Sequence, residues 1–398
     1  MDDYVVLVHG DLATCERVQS LLYSRGEERT PWRRFQLVIF VLALFHLKMA
    51  CADAIWKIFI WPKLARDDAT SFLQQIAEIR PRETGKIASK PGFRRMHEAI
   101  QHVGAVSRLD CWRVEANKWG AHFDSLEQFA ESKPSWAELD EMAEKIVRRY
   151  TIDENTLEEL RFAPDSTRDE QYENTLLKDY YCLLYEELTY AMNAGDIGRV
   201  ETCFLPWILI FRGCGKHKYA AQMLRFLYDV HCVYPEKLKY AIRMNMLCNP
   251  TGRKHSFRGI DWWVEHNNLY TKRIYGGKFS NRTKNRILKE SPLIQVFKNV
   301  RISLEDMFTL GHRTFKHSPA QLTQTFRKLQ NQMKAAHTHE PVAGRKSTYS
   351  VPDVMEDGLM KLMAMRGGSS SADKENDEGD VGVSDEVNGE DGDLNVGE

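Results

Sequence analysis

The stretch Tyr4-Val5-Val6-Leu7-Val8-His9-Gly10-Asp11 decides the fold class. Its first five residues are apolar throughout and rich in β-branching. That is the pattern of a strand buried on both faces, as parallel strands are. Ala13 to Ser24 then carries Val18, Leu21 and Leu22 at helical spacing, and Gly26 stops it. Phe35 to Leu44 is a second apolar run, too short for most core helices and right for a strand. From His46 the spacing turns helical through Ala50, Ala54, Ile55 and Ile58, until Pro62. The order is strand, helix, strand, helix. A short helical crossover between apolar strands predicts a parallel pair.

Beyond residue 62 no strand pair is predicted. Arg94 to Trp119 has helical spacing, and Ser135-Trp136-Ala137-Glu138 after Pro134 is a capping box that opens a helix to Tyr150. Glu170 to Met192 is a long helix ended by Asn193-Ala194-Gly195, and Ile197 to Phe211 is another, with Pro206 as a kink. Further helices are predicted at 217–231, 235–247, 261–275, 291–309, 319–335 and 352–365. The expected fold class is α+β, predominantly helical. A small parallel strand-helix-strand-helix unit occupies 1–62, and a helical body with a basic segment at 267–334 occupies 63–338. A linker at 339–351, a short helix at 352–366 and a disordered acidic tail at 367–398 complete the expectation.

The chain has 398 residues, with 55 Lys plus Arg and 56 Asp plus Glu, a formal charge of −1. That near-neutral sum conceals two unlike parts. Residues 367–398 hold 11 acids and one base, a tail of −10, which leaves 54 bases and 45 acids, +9, in residues 1–366. At 43% hydrophobic residues the whole is too apolar for a disordered chain. The eight cysteines form no C-x-x-C pair, so reduced thiols in an intracellular compartment are expected. Cys214, His217, His231 and Cys232 read as buried thiols and polar histidines rather than as a zinc site. Met1-Asp2-Asp3 is acidic where a secretory signal needs positive charge. The Phe35–Leu47 run is shorter than the roughly 20 residues a membrane span needs, so no membrane is expected.

Four constellations could carry chemistry. Asp11 lies just past the end of a buried strand, where open α/β sheets place ligands. It reads as a Mg²⁺ ligand or as the N-cap of the following helix. His46 in Phe45-His46-Leu47-Lys48-Met49, at the end of the second strand, would lie near it if the strands are parallel neighbours, as a ligand, an acid-base group or a hydrogen-bonded residue fixing the strand-helix turn. In Ile260-Asp261-Trp262-Trp263-Val264-Glu265-His266-Asn267-Asn268-Leu269-Tyr270, the residues Asp261, Glu265 and Asn268 share one helix face. That face is functional, or merely solvated, or a buried network bonding neighbouring loops. The fourth constellation is basic. No acid occurs from Asn267 to Lys289, where Lys272, Arg273, Lys278, Arg282, Lys284, Arg286 and Lys289 are interleaved with Tyr270, Tyr275 and Phe279. Residues 307–339 also lack acids and carry Arg313, Lys316, Arg327, Lys328 and Lys334. Such cations neutralise phosphates and such rings stack on bases, or they form a solvated cationic face. No P-loop, G-x-G-x-x-G, G-x-S-x-G or H-E-x-x-H pattern is present.

Gly10-Asp11-Leu12-Ala13-Thr14-Cys15-Glu16-Arg17, then Phe45-His46-Leu47-Lys48-Met49 with Ile55-Trp56, resembles the domain of unknown function 6589, found largely in fungal proteins. Gly195-Asp196-Ile197, Lys218-Tyr219-Ala220 and the Asp261–Lys272 block are similar to it as well, over residues 4–310. The strand-Asp-helix, strand-His-helix order followed by a late Glu also resembles the second half of a ribonuclease-H-like transposase core. That analogy implies Asp11 and Glu265 as carboxylates holding Mg²⁺ for metal-dependent phosphoryl transfer on nucleic acid. It places a further acid on a strand upstream of Asp11, which this sequence lacks, so catalysis by this chain alone is not expected. The expected function is nucleic-acid binding, DNA or RNA, by a transposon-derived protein, nuclear or cytoplasmic. The competing expectation is a helical interaction scaffold whose basic face docks an acidic partner or its own tail.

Overall fold

The computed structural model describes residues 4–119, 123–152, 154–276, 283–309 and 322–366. β1 (Val6–Gly10) is followed by α1 (Leu12–Ser24), which Asp11 caps by accepting from Thr14 N at 2.8 Å. β2 (Val38–Leu42) pairs with β1 in parallel, Val6 opposite Val38 through Gly10 opposite Leu42. The strand is shorter than the apolar run. Phe35 takes a positive φ in a turn, and α2 (Leu44–Phe59) starts before His46. His46 therefore sits in the first turn of a helix and not at a strand end.

The body is helical, as its sequence periodicity requires. α3 (Phe72–Ile79) and α4 (Thr84–Ser89) lead into the long α5 (Phe93–Lys118). α6 (Leu126–Glu131) precedes α7 (Trp136–Tyr150), which opens on the capping box formed by Ser135 and Glu138. α8 (Glu154–Arg161) and α9 (Glu170–Ala194) follow, and α9 ends at Gly195 in the left-handed region. α10 (Ile197–Gly213) continues past Pro206. α11 (His217–Tyr228) runs into a π-helical turn, Asp229–Val233, and α12 (Glu236–Met244) stops short of its expected end. The chain instead forms a two-residue antiparallel ladder, β3 (Leu247–Cys248) with β4 (Arg258–Gly259). Alternation over two residues leaves no period to detect.

α13 (Ile260–Tyr275) leaves β4 directly. α14 (Lys284–Glu290), which no expectation covered, precedes the helix expected over 291–309; that helix is present, its first turn a 3₁₀ turn containing Pro292 ahead of α15 (Ile294–Met307). α16 (Thr323–Ala335) and α17 (Val354–Arg366) complete the described chain. One continuous core joins α2, α3, α5, α9, α10 and α11, centred on Trp207, Tyr181, Tyr185, Phe204 and Phe211, all fully buried. Among the described residues no helix is long and apolar enough to cross a membrane.

Residues 339–351 are not a free linker. His339 is fully buried, with Nδ1 2.7 Å from Asp110 and Nε2 2.9 Å from Asp179. Arg345 grips Asp169 through two nitrogens at 2.7 and 2.8 Å, and Val351 is buried. Polar residues make this stretch look solvated in sequence, whereas their partners lie some 160 to 230 positions earlier. The expected acidic tail, 367–398, lies outside the described residues.

Candidate functional site

α2 begins without a cap of its own. Its N-cap residue, Ala43, offers no side-chain acceptor, so the first amides of the helix need a partner from elsewhere. Asp261 supplies it. Oδ1 accepts from Phe45 N at 3.1 Å and Oδ2 from His46 N at 2.9 Å, while Oδ2 also lies 3.0 Å from His46 Nδ1. The ladder of β3 and β4 makes this reach precise, because α13 starts at the residue after β4 and carries Asp261 in its first turn. Gly259 leaves the necessary room. A Cβ there would lie 2.5 Å from Asp261 Oδ1 and 3.0 Å from Phe45 N. A carboxylate at a helix N-terminus also meets the positive end of the helix dipole.

His46 and Asp261 are both buried, at 4% and 2% exposure. His46 Nε2 is buried with no hydrogen-bond partner. Burial pulls the His46 pKa down, but the bond and charge of Asp261, with Glu265 and Asp11 further off, hold it above the usual imidazole value. The arrangement is a buried carboxylate–imidazole pair in which Asp261 orients the ring through Nδ1. Asp11 stands at the edge of this cluster. Its Thr14 bonds, together with His46 and Arg17, hold its carboxyl below the usual range against burial.

The sequence-predicted residues are thus partly brought together. Asp11, His46 and Glu265 share one electrostatic neighbourhood, but the carboxylate bonded to His46 is Asp261, not Glu265. The polar face of α13 grades outward: Asp261 is buried, Glu265 half-buried and Asn268 exposed. Trp262 packs inward, its ring stacked on His266 at 5.4 Å. Among the described residues no group of three His, Cys, Asp or Glu side chains is arranged to hold a metal ion. Asp261 commits both oxygens to α2, and Asp11 commits one to α1.

The basic segment is described in part. Lys272, Lys284, Arg286 and Lys289 are exposed, and Arg286 pairs with Glu290 at 2.8 Å. Lys278, Arg282, Arg313 and Lys316, and the side chain of Arg273, lie outside the described residues. Arg327, Lys328 and Lys334 are exposed on α16.

Sequence reasoning missed a cleft of about 270 Å³ on the other side of β4. It opens between α2, α5, α9 and the loop 250–258, with Lys48, Arg253 and Arg258 among its walls. Arg258 is held by Asn193 Oδ1 at 3.1 Å and the Phe257 carbonyl at 2.9 Å. Phe257 in turn packs on Gly195, where a Cβ would fall 2.8 Å from the ring. The one local signal was the cationic run Arg253-Lys254-His255 beside Phe257-Arg258, which has no period and belongs to no long element.

The family model described as a family of unknown function (DUF6589) matches residues 1–317, so the chain belongs to that family. No curated protein and no solved structure matches the chain.

Proposed function

We propose that this member of the DUF6589 family binds nucleic acid, with the cationic stretch from α13 through α14 meeting phosphate. One observation carries the reading: Lys272, Lys284, Arg286 and Lys289 are all exposed, in a stretch from Asn267 to Lys289 that has no acid. Cations so placed lose little on leaving water and gain from displacing condensed counterions. Origin from a transposon is consistent with the order of elements and adds no further residue to the interface.

The second reading, docking of an acidic protein or of the chain's own tail, draws on the same exposed cations and on the −10 charge of residues 367–398. Anisotropy of a labelled oligonucleotide with the full chain separates the two. Nucleic-acid binding predicts a logarithmic loss of affinity with salt, with a slope of roughly −0.9 per neutralised duplex phosphate. Replacing Lys272, Lys284, Arg286 and Lys289 by Ala should cut that slope by roughly one unit for each phosphate left without its cation. Affinity that ignores salt, or that survives all four changes, refutes the phosphate reading and leaves the protein-docking one.

A further inference from the structure

We propose that the cleft beside β4 is a binding site for a nucleoside phosphate, free or as one unit of a single strand. This site is separate from the phosphate contacts of α14 and does not depend on them. Its first support is chemistry. Phe93, Phe257 and Trp262 form an apolar aromatic wall, and Lys48, Arg253 and Arg258 bring cations to the same space. An aromatic base favours the first and a phosphate the second, and a ligand carrying both is a nucleotide. Its second support is size. About 270 Å³ lies just under the usual range of small-molecule pockets, which limits the cleft to one small unit and leaves no room for a run of stacked bases.

The third support is how the cations are fixed. Lys48 Nζ stands 5.4 Å from the centre of the Phe93 ring, a cation over an aromatic face. Arg258 is pinned by Asn193 and by the Phe257 carbonyl, so its guanidinium is oriented in advance and loses little freedom on binding. Glu98, the acid at the cleft, is already taken up by Arg94 at 3.1 Å and by Arg80. His97, also in the wall, contributes no charge. Burial and its cationic neighbours push its pKa down to about 3, and its Nδ1 meets the Tyr185 hydroxyl at 2.7 Å. Among the residues that line the cleft, Lys48, Arg94, Arg253 and Arg258 thus outnumber the one acid, Glu98. The side chains of Gln101 and Ser256 at its wall offer hydrogen-bonding groups for a base edge.

Calorimetric titration of the full chain tests this with four probes: adenosine monophosphate, adenosine, inorganic phosphate and an octathymidylate strand. The expected result is binding of the monophosphate or the strand at least about tenfold tighter than adenosine or phosphate alone, since base and phosphate contacts each contribute. Arg253→Ala should weaken it by about tenfold, and Arg253→Lys should restore part of the loss. Arg253 is exposed on its loop, so its replacement leaves the fold intact, which a matching thermal melt verifies. A strand that binds well above the monophosphate assigns the site to nucleic acid; equal affinities assign it to a free nucleotide. Phosphate binding as tightly as the monophosphate overturns the proposal, as does absence of binding by both nucleotide probes. A strand whose affinity falls on replacing Lys284, Arg286 and Lys289 but not Arg253 also overturns it, and leaves the α14 reading standing.

Discussion

The carboxylate of Asp261 reaches the start of a helix 216 positions earlier in the chain, and that distance explains why its role was hidden. Periodicity marks Asp261 as polar on a helix that also buries tryptophan. It cannot reveal that α2 lacks a cap, nor that a two-residue ladder delivers a carboxylate to it. Removing the group strands two helix amides and a buried imidazole. Asp261→Ala should therefore cost about 3–5 kcal/mol, and Asp261→Asn, which keeps one acceptor, about 1–3 kcal/mol, read from urea midpoints. An alanine variant as stable as the parent rejects the capping role. His339 makes the second residue-scale case. Burial alone would lower its pKa, but the Cys111 sulfur with Asp110 and Asp179 holds it well above the ordinary 6.5. Asp110 and Asp179 are held below the ordinary 3.8 against burial, Asp110 by His339 and Arg113, Asp179 by Lys178 and His339. A raised histidine stabilises fully below its unfolded pKa, and that stability is lost as pH rises through the folded value. The lowered carboxylates stabilise above 3.8 and lose that stability as pH falls through their folded values. The cluster thus contributes fully between pH 3.8 and 6.5, and progressively less far above. His339→Gln should lower stability within that window and flatten its decline at higher pH. A parallel pH profile in the variant would show that His339 is not the titrating group.

The long helices were legible because each satisfies two independent local rules, an apolar stripe and a terminal signal. α7 opens on its capping box, and α9 stops at Gly195, which takes the left-handed conformation that favours glycine. What failed were elements decided by partners remote in sequence: β3 and β4, and the strap after His339. The packing of α17 on α10 belongs to this class, since no composition rule announces it. The two helices approach through glycines. A Cβ on Gly213 would lie 2.1 Å from the Val354 carbonyl, and one on Gly358 2.0 Å from the Leu209 carbonyl. Both obstacles are backbone, so the helices must separate. Gly358→Ala and Gly213→Ala should each cost about 1–3 kcal/mol, with faster proteolytic release of α17. Melting and cleavage rates like the parent's would mean that the crossing relaxes without loss.

At the scale of the molecule, the part matched by the family model ends at residue 317, while the structure continues its core past that point. α16 seats Leu329 and Met333 against α3 and α5, the following stretch buries His339 and Val351, and α17 covers α10. Composition sets this folded strap apart from residues 367–398. Those hold 11 acids among Gly and Ser and few apolar residues. The two segments should therefore respond oppositely to deletion. Ending the chain at 317 exposes the surfaces of α3, α5 and α10 and should abolish cooperative unfolding, seen as dye binding and a broadened melt. Ending it at 366 should change stability by no more than about 0.5 kcal/mol, the range of surface changes. Yet this second deletion removes a charge of −10 and leaves a body of +9. If the tail competes with nucleic acid for the cations of α13 and α14, oligonucleotide affinity should rise, and the gain should shrink as salt screens the tail. Affinity unchanged at low salt would mean that the tail never occupies that face.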